Sequence, residues 1–66
     1  MDQIKIGKFI AECRKNKNLT QVELAQQLGT TDKSVSKWEN GTLPNVEVLV
    51  ELAKVLNTTV DEILMG

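Results

Sequence analysis

Along the 66 residues, apolar positions recur at three- and four-residue intervals from end to end. This is the spacing of helices that each bury one face. Ile6, Phe9, Ile10 and Cys13 predict a first helix over about Gln3–Lys17, with Lys5, Lys8, Lys15 and Lys17 on its exposed parts. Val22, Leu24, Ala25 and Leu28 predict a second. Thr20 and Glu23 have the spacing of a capping box at its start, and Leu19 and Leu24 that of a hydrophobic staple. Gly29 falls where a helix end needs a residue tolerant of the left-handed conformation. Thr31 then caps a third helix over about Asp32–Asn40. Gly41-Thr42-Leu43-Pro44 is a loop, and Asn45 caps a fourth helix. In that helix Val46, Leu49, Leu52, Ala53 and Leu56 face inward, and Glu47, Glu51 and Lys54 form the polar strip. Val48 and Val55 lie at the edge of its core face and suit either core packing or a subunit contact. Thr59 and Glu62 suggest a second capping box, opening a fifth helix with Val60, Ile63 and Leu64 inward. The expected fold class is all-α, with five short helices in one domain over residues 1–66.

The third helix divides more sharply than the others. At about 100° per residue, Thr31, Val35 and Trp38 cluster on one side. Asp32, Lys33, Ser36, Lys37 and Asn40 spread over an arc of about 140° on the other. The first cluster can pack against the domain. The second has little apolar surface to bury, so it is left for solvent or a polar partner.

Composition narrows the classes. An apolar content of 41% supplies one compact helical core. No run of apolar residues reaches the length of a membrane span, and the amino terminus lacks the pattern of a signal peptide. The expected location is the cytoplasm. With one cysteine and no histidine, an intramolecular disulfide and a Cys/His zinc site are both excluded. Cys13 reads as a small packed apolar residue, with a redox-sensing thiol or an intermolecular disulfide as the alternatives. No nucleophile stands beside a base and no glycine-rich phosphate loop is present, so neither enzymatic activity nor a cofactor is expected. The net charge of −1 argues against a nucleic-acid partner when taken alone. Its distribution tempers that. Residues 1–41 carry seven basic and five acidic side chains, and residues 42–66 carry one and four, so a cationic face is available at the amino-terminal end.

Several short motifs stand in order: Leu19-Thr20-Gln21, Glu23-Leu24-Ala25, Leu28-Gly29, Ser36-Lys37-Trp38-Glu39-Asn40-Gly41, Pro44, Leu52-Ala53, Leu56 and Asp61-Glu62-Ile63-Leu64. In this order and spacing the chain resembles the phage-type Cro/C1 repressor family of helix-turn-helix domains, also called the xenobiotic response element (XRE) family, over about Ile6–Leu64. The resemblance implies a compact five-helix, lambda-repressor-like domain with the helix-turn-helix at helices 2 and 3. It also implies a sequence-specific transcriptional regulator of double-stranded DNA, a repressor in the first instance. The segment at about 31–40 would be its recognition helix, lying in the major groove.

The DNA-contacting residues implied are Gln21, Thr31, Asp32, Lys33, Ser36, Lys37 and Asn40. Gln21, at the first turn of helix 2, reads as a phosphate ligand or as a simple polar first-turn residue. Asn40 reads as a phosphate ligand, as a C-cap before Gly41, or as both. Lys33 and Lys37 can donate to guanine or touch phosphate, and Ser36 is a permissive reader. Asp32 can accept from cytosine, or simply favour the positive end of the helix dipole. Thr42 and Leu43 stand where the family often carries basic residues, which lowers the charge offered to the backbone. Arg14 and Glu39 are implied as a structural ion pair rather than DNA ligands. A homodimer on an inverted repeat is implied, with Val48, Val55, Leu64 and Met65 as candidate contacts. The competing expectation is an antitoxin or protein-interaction module that keeps the fold and binds a protein partner through its acidic carboxy-terminal helices.

Overall fold

The structure, a computed structural model, describes residues 1–65 and consists of five helices: α1 (Gln3–Asn16), α2 (Gln21–Leu28), α3 (Asp32–Glu39), α4 (Val46–Leu56) and α5 (Val60–Met65). Among the described residues there is no strand, and no helix is long and apolar enough to cross a membrane. α1 packs on α3 and α5, α2 packs on α3 and α4, and α4 closes against α5. The helix-turn-helix is thus gripped from two sides. Ile6, Ile10, Leu24, Val35, Leu52 and Ile63 meet in the middle with almost no exposed surface.

Each helix starts on side-chain chemistry. The Asp2 carboxylate accepts from the Ile4 and Lys5 N–H groups, a cap that the apolar pattern alone did not reveal. Thr20, Thr31, Asn45 and Thr59 each accept from the N–H three residues on. The expected box at Thr20 is complete, since Glu23 reaches back to the Thr20 N–H at 2.8 Å. At Thr59 it is half a box: Glu62 takes the Thr59 hydroxyl at 3.4 Å instead of the backbone N–H.

The helix ends share a second device. Leu19, Thr30, Thr42 and Thr58 each donate a backbone N–H to the carbonyl five residues back, at 2.9–3.1 Å. The residue before each donor, namely Asn18, Gly29, Gly41 and Asn57, has positive φ. This closure satisfies carbonyls that a helix end would otherwise leave open, and it turns the chain sharply enough for helices of 8–14 residues to pack within 27 Å.

Some boundaries and faces differ from the sequence expectation. α1 ends at Asn16 with Lys17 as its cap, and α3 ends at Glu39 with Asn40 as its cap. Val22 and Val46, expected inward, are exposed; Val46 keeps 72% of its surface. Both lie in the first turn of their helices. Val50 is exposed as well, so the outer strip of α4 is partly apolar.

Candidate nucleic-acid interface

The sequence from Thr20 to Asn40 builds two short helices about one left-handed residue, Gly29 (φ 68°). A Cβ there would meet no atom within 4 Å. The position therefore favours glycine for its backbone torsion and not for space. Thr31 then begins α3: its hydroxyl accepts the Ser34 N–H and lies 3.1 Å from the Ser34 hydroxyl. Ser34 escaped the sequence reading, although two hydroxyl residues three apart at a helix start are a readable signal.

α3 is anchored by Val35, fully buried, and Trp38, 9% exposed. Thr31, Asp32, Lys33, Lys37 and Asn40 are exposed, and Ser36 is half-buried. Lys33 and Lys37 stand one turn apart on the same face, with Ser36 between them in sequence. Asp32 sits in the first turn, where a carboxylate also favours the positive end of the helix dipole.

The far end of α3 is locked by Glu39. Its carboxylate accepts from Arg14 Nε at 2.6 Å and Nη2 at 3.1 Å, a two-pronged contact between side chains only 11% and 7% exposed. Arg14 Nη1 also donates to the Leu19 carbonyl at 2.8 Å, tying the α1–α2 connection to the same point. The hydrogen bond to Glu39 raises the pKa of Arg14; partial burial opposes this, and the attraction between the charges adds to it. The guanidinium thus stays charged throughout the ordinary pH range. Alongside, α1 approaches α3 closely at Gly7, where a Cβ would lie 2.5 Å from the Trp38 carbonyl oxygen and 2.7 Å from that of Glu39. This contact was missed in the sequence, where a lone glycine inside a helical pattern was its signal.

Two candidate phosphate ligands differ in their freedom. Gln21 is held against Glu39, its Nε2 donating to Oε1 at 3.0 Å. An amide nitrogen carries two hydrogens, so a second donor remains for an outside oxygen. Asn40 instead folds its amide back on its own helix, donating to the Ser36 carbonyl at 2.7 Å and approaching the Ser36 hydroxyl at 3.4 Å. To offer a phosphate its second hydrogen, it gives up only the longer of these contacts. The geometry therefore places Gln21 and Asn40 at one end of α3 beside Glu39, and Lys33, Ser36 and Lys37 along its length.

A capped short helix, a left-handed turn and a second helix with a polar outer face, packed as above, define a helix-turn-helix domain of the lambda-repressor-like type. Residues 10–63 match the helix-turn-helix family model, and the chain belongs to the Cro/C1-type (XRE) family of these domains. Among curated proteins it is 43% identical over 58 residues to the HTH-type transcriptional activator BcrR of Enterococcus faecalis, covering 86% of this chain and 28% of that one. It is 38% identical over 61 residues to the cryptic phage CTXphi transcriptional repressor RstR of Vibrio cholerae, covering 91% and 54%. The chain thus spans between about a quarter and about a half of these two relatives. Among solved structures, the P22 c2 repressor in complex with a synthetic operator superposes with a TM-score of 0.85 at 32% identity, covering 88% of this chain and 89% of that one.

Proposed function

We propose that this chain is the DNA-binding part of a transcription regulator, working by binding and not by catalysis. α3 lies in the major groove, with Lys33, Lys37, Ser36 and Asp32 toward base edges and Gln21, Asn40 and Thr31 toward the phosphates on either side. The single observation carrying this reading is the division of α3. Its two large apolar side chains and Glu39 are spent inside the domain, which leaves Lys33 and Lys37 exposed on the outer face with no side-chain bond to the rest of the domain among the described residues. The relatives' names add support, since both an activator and a repressor occur among them. Repression is the mode we put first, because an operator can be blocked by DNA binding alone.

One such domain covers about 600–1,000 Å² of DNA-facing surface, small for selective binding. Two copies on an inverted repeat, with recognition helices about 34 Å apart, solve this. Of the proposed subunit contacts, Val48, Val55 and Leu64 are half-buried against their own core. Met65 is exposed, as are Val46 and Val50. We therefore place the second copy on the exposed apolar residues of the last two helices, and the working location with DNA in the cytoplasm.

The test is selection of bound sequences from random duplexes at fixed salt, followed by titration of the selected site. Lys37→Ala should weaken binding by about 1–3 kcal/mol and relax preference at one base pair. Unchanged affinity and unchanged preference would remove Lys37 from the interface. A selection that enriches nothing would overturn the reading as a whole.

A further inference from the structure

A cavity of about 200 Å³ lies between the end of α2, α3 and the start of α4. Its apolar wall is formed by Leu28, Trp38 and Val48, and its acidic side by Glu47 and Glu51, one turn apart on α4. No lysine or arginine lines it. Lys54 stands 3.8 Å from Glu51 as an exposed ion pair, a contact that water and salt screen strongly. Among the described residues Glu47 has no cationic partner. Trp38 is nine-tenths buried and lines the same space. Among the described residues no acceptor receives its indole N–H, yet that group is not sealed from solvent.

An aromatic wall, aliphatic neighbours and two carboxylates, of which Glu47 has no cationic partner among the described residues and Glu51 only an exposed one, together select for a cation with an apolar body. The volume is below the ~300 Å³ at which pockets for larger ligands begin, which limits the body to about one ring with a short arm. We propose that this cavity binds a small arylalkylammonium, with its ring against Leu28, Trp38 and Val48 and its ammonium between Glu47 and Glu51. None of these side chains belongs to the proposed DNA-facing strip, so the site stands or falls without reference to DNA. Because Trp38 is part of α3, occupancy touches the back of the helix whose front carries that strip.

The chain holds one tryptophan and no tyrosine, so its emission reports on the cavity directly. Phenethylammonium titrated into the whole chain, without DNA, should change Trp38 emission saturably and shift the Trp38 indole and Val48 amide resonances. Its neutral isostere 2-phenylethanol should bind about tenfold more weakly or worse. The double variant Glu47→Gln, Glu51→Gln alters only exposed carboxylates, and its fold can be checked by circular dichroism. It should weaken ammonium binding about fivefold or more while leaving the alcohol unchanged. Equal binding of amine and alcohol, indifference to the double variant, or no response of emission and resonances up to about 20 mM, weaker than the millimolar range, would each overturn the proposal.

Discussion

The third and fourth helices share their terminal chemistry and differ in everything between. In each, a polar cap side chain (Thr31 or Asn45) accepts from the N–H three residues on, and the last turn is closed by an N–H reaching five residues back. Between these ends, α4 buries Leu49, Leu52, Ala53 and Leu56, whereas α3 buries Val35 and Trp38. At about 1.5–3 kcal/mol for each large apolar side chain removed from water, α4 holds its place by burial. α3 has less to bury because most of its surface is kept polar. Its orientation is fixed instead at one end, by the Arg14–Glu39–Gln21 network and the close approach at Gly7. The helix with the polar outer face is here positioned by directional bonds, and α4 by its greasy face.

This contrast can be broken from either side. The largest effect on folding should come from Leu52→Ala, at about 2–5 kcal/mol. A domain this small has only about 3–5 kcal/mol of stability from its core, so the variant should show little cooperative melting by circular dichroism. Next comes Glu39→Ala, at about 3 kcal/mol, because it strands the Arg14 guanidinium in a largely buried place. Replacing both partners, with Arg14→Met and Glu39→Leu, should recover most of that loss in urea denaturation. The recovered protein should still bind DNA less well than the original if the network aims α3, and equally well if it merely stabilises. Gly7→Ala follows, at about 2 kcal/mol. The added methyl would press on two backbone carbonyls, which cannot rotate aside as a side chain can.

Where the sequence was legible, the signal was local. The Thr20–Glu23 box, the turn at Gly29 and the cap at Thr31 each rest on chemistry within four residues, and each stands in the structure as read. The inward faces of α1 and α4 followed from periodicity for the same reason. Periodicity failed at Val22 and Val46, because it gives the direction of a side chain but not whether a neighbouring helix extends far enough to cover it. Asn18 and Asn57 carry a readable signal as well, since asparagine joins glycine at the left-handed residue of helix ends. The Gln21–Glu39 bond and the Asn40 amide turned back on Ser36 had no signal of their own. Each depends on where a side chain finds its partner once the helices have packed. They also decide how ready each candidate ligand is to meet a phosphate.

The smallest folding effect expected is at Val46, and it bears on the outer side of α4. A valine at the start of a helix with 72% of its surface exposed contributes little burial to its own domain. Val46→Ser should therefore shift the stability of the isolated chain by no more than about 0.5 kcal/mol, in contrast to Leu52→Ala on the same helix. If a second copy covers this strip, the substitution should weaken self-association in sedimentation velocity while the melting of dilute protein stays unchanged. It should also weaken binding to a two-half-site duplex more than binding to a single half-site, since only the former depends on holding two copies together. Unaltered sedimentation in Val46→Ser, and again after adding Val50→Ser, would move the subunit contact away from α4. The exposed valines would then be ordinary surface residues, which single apolar side chains on a small domain often are.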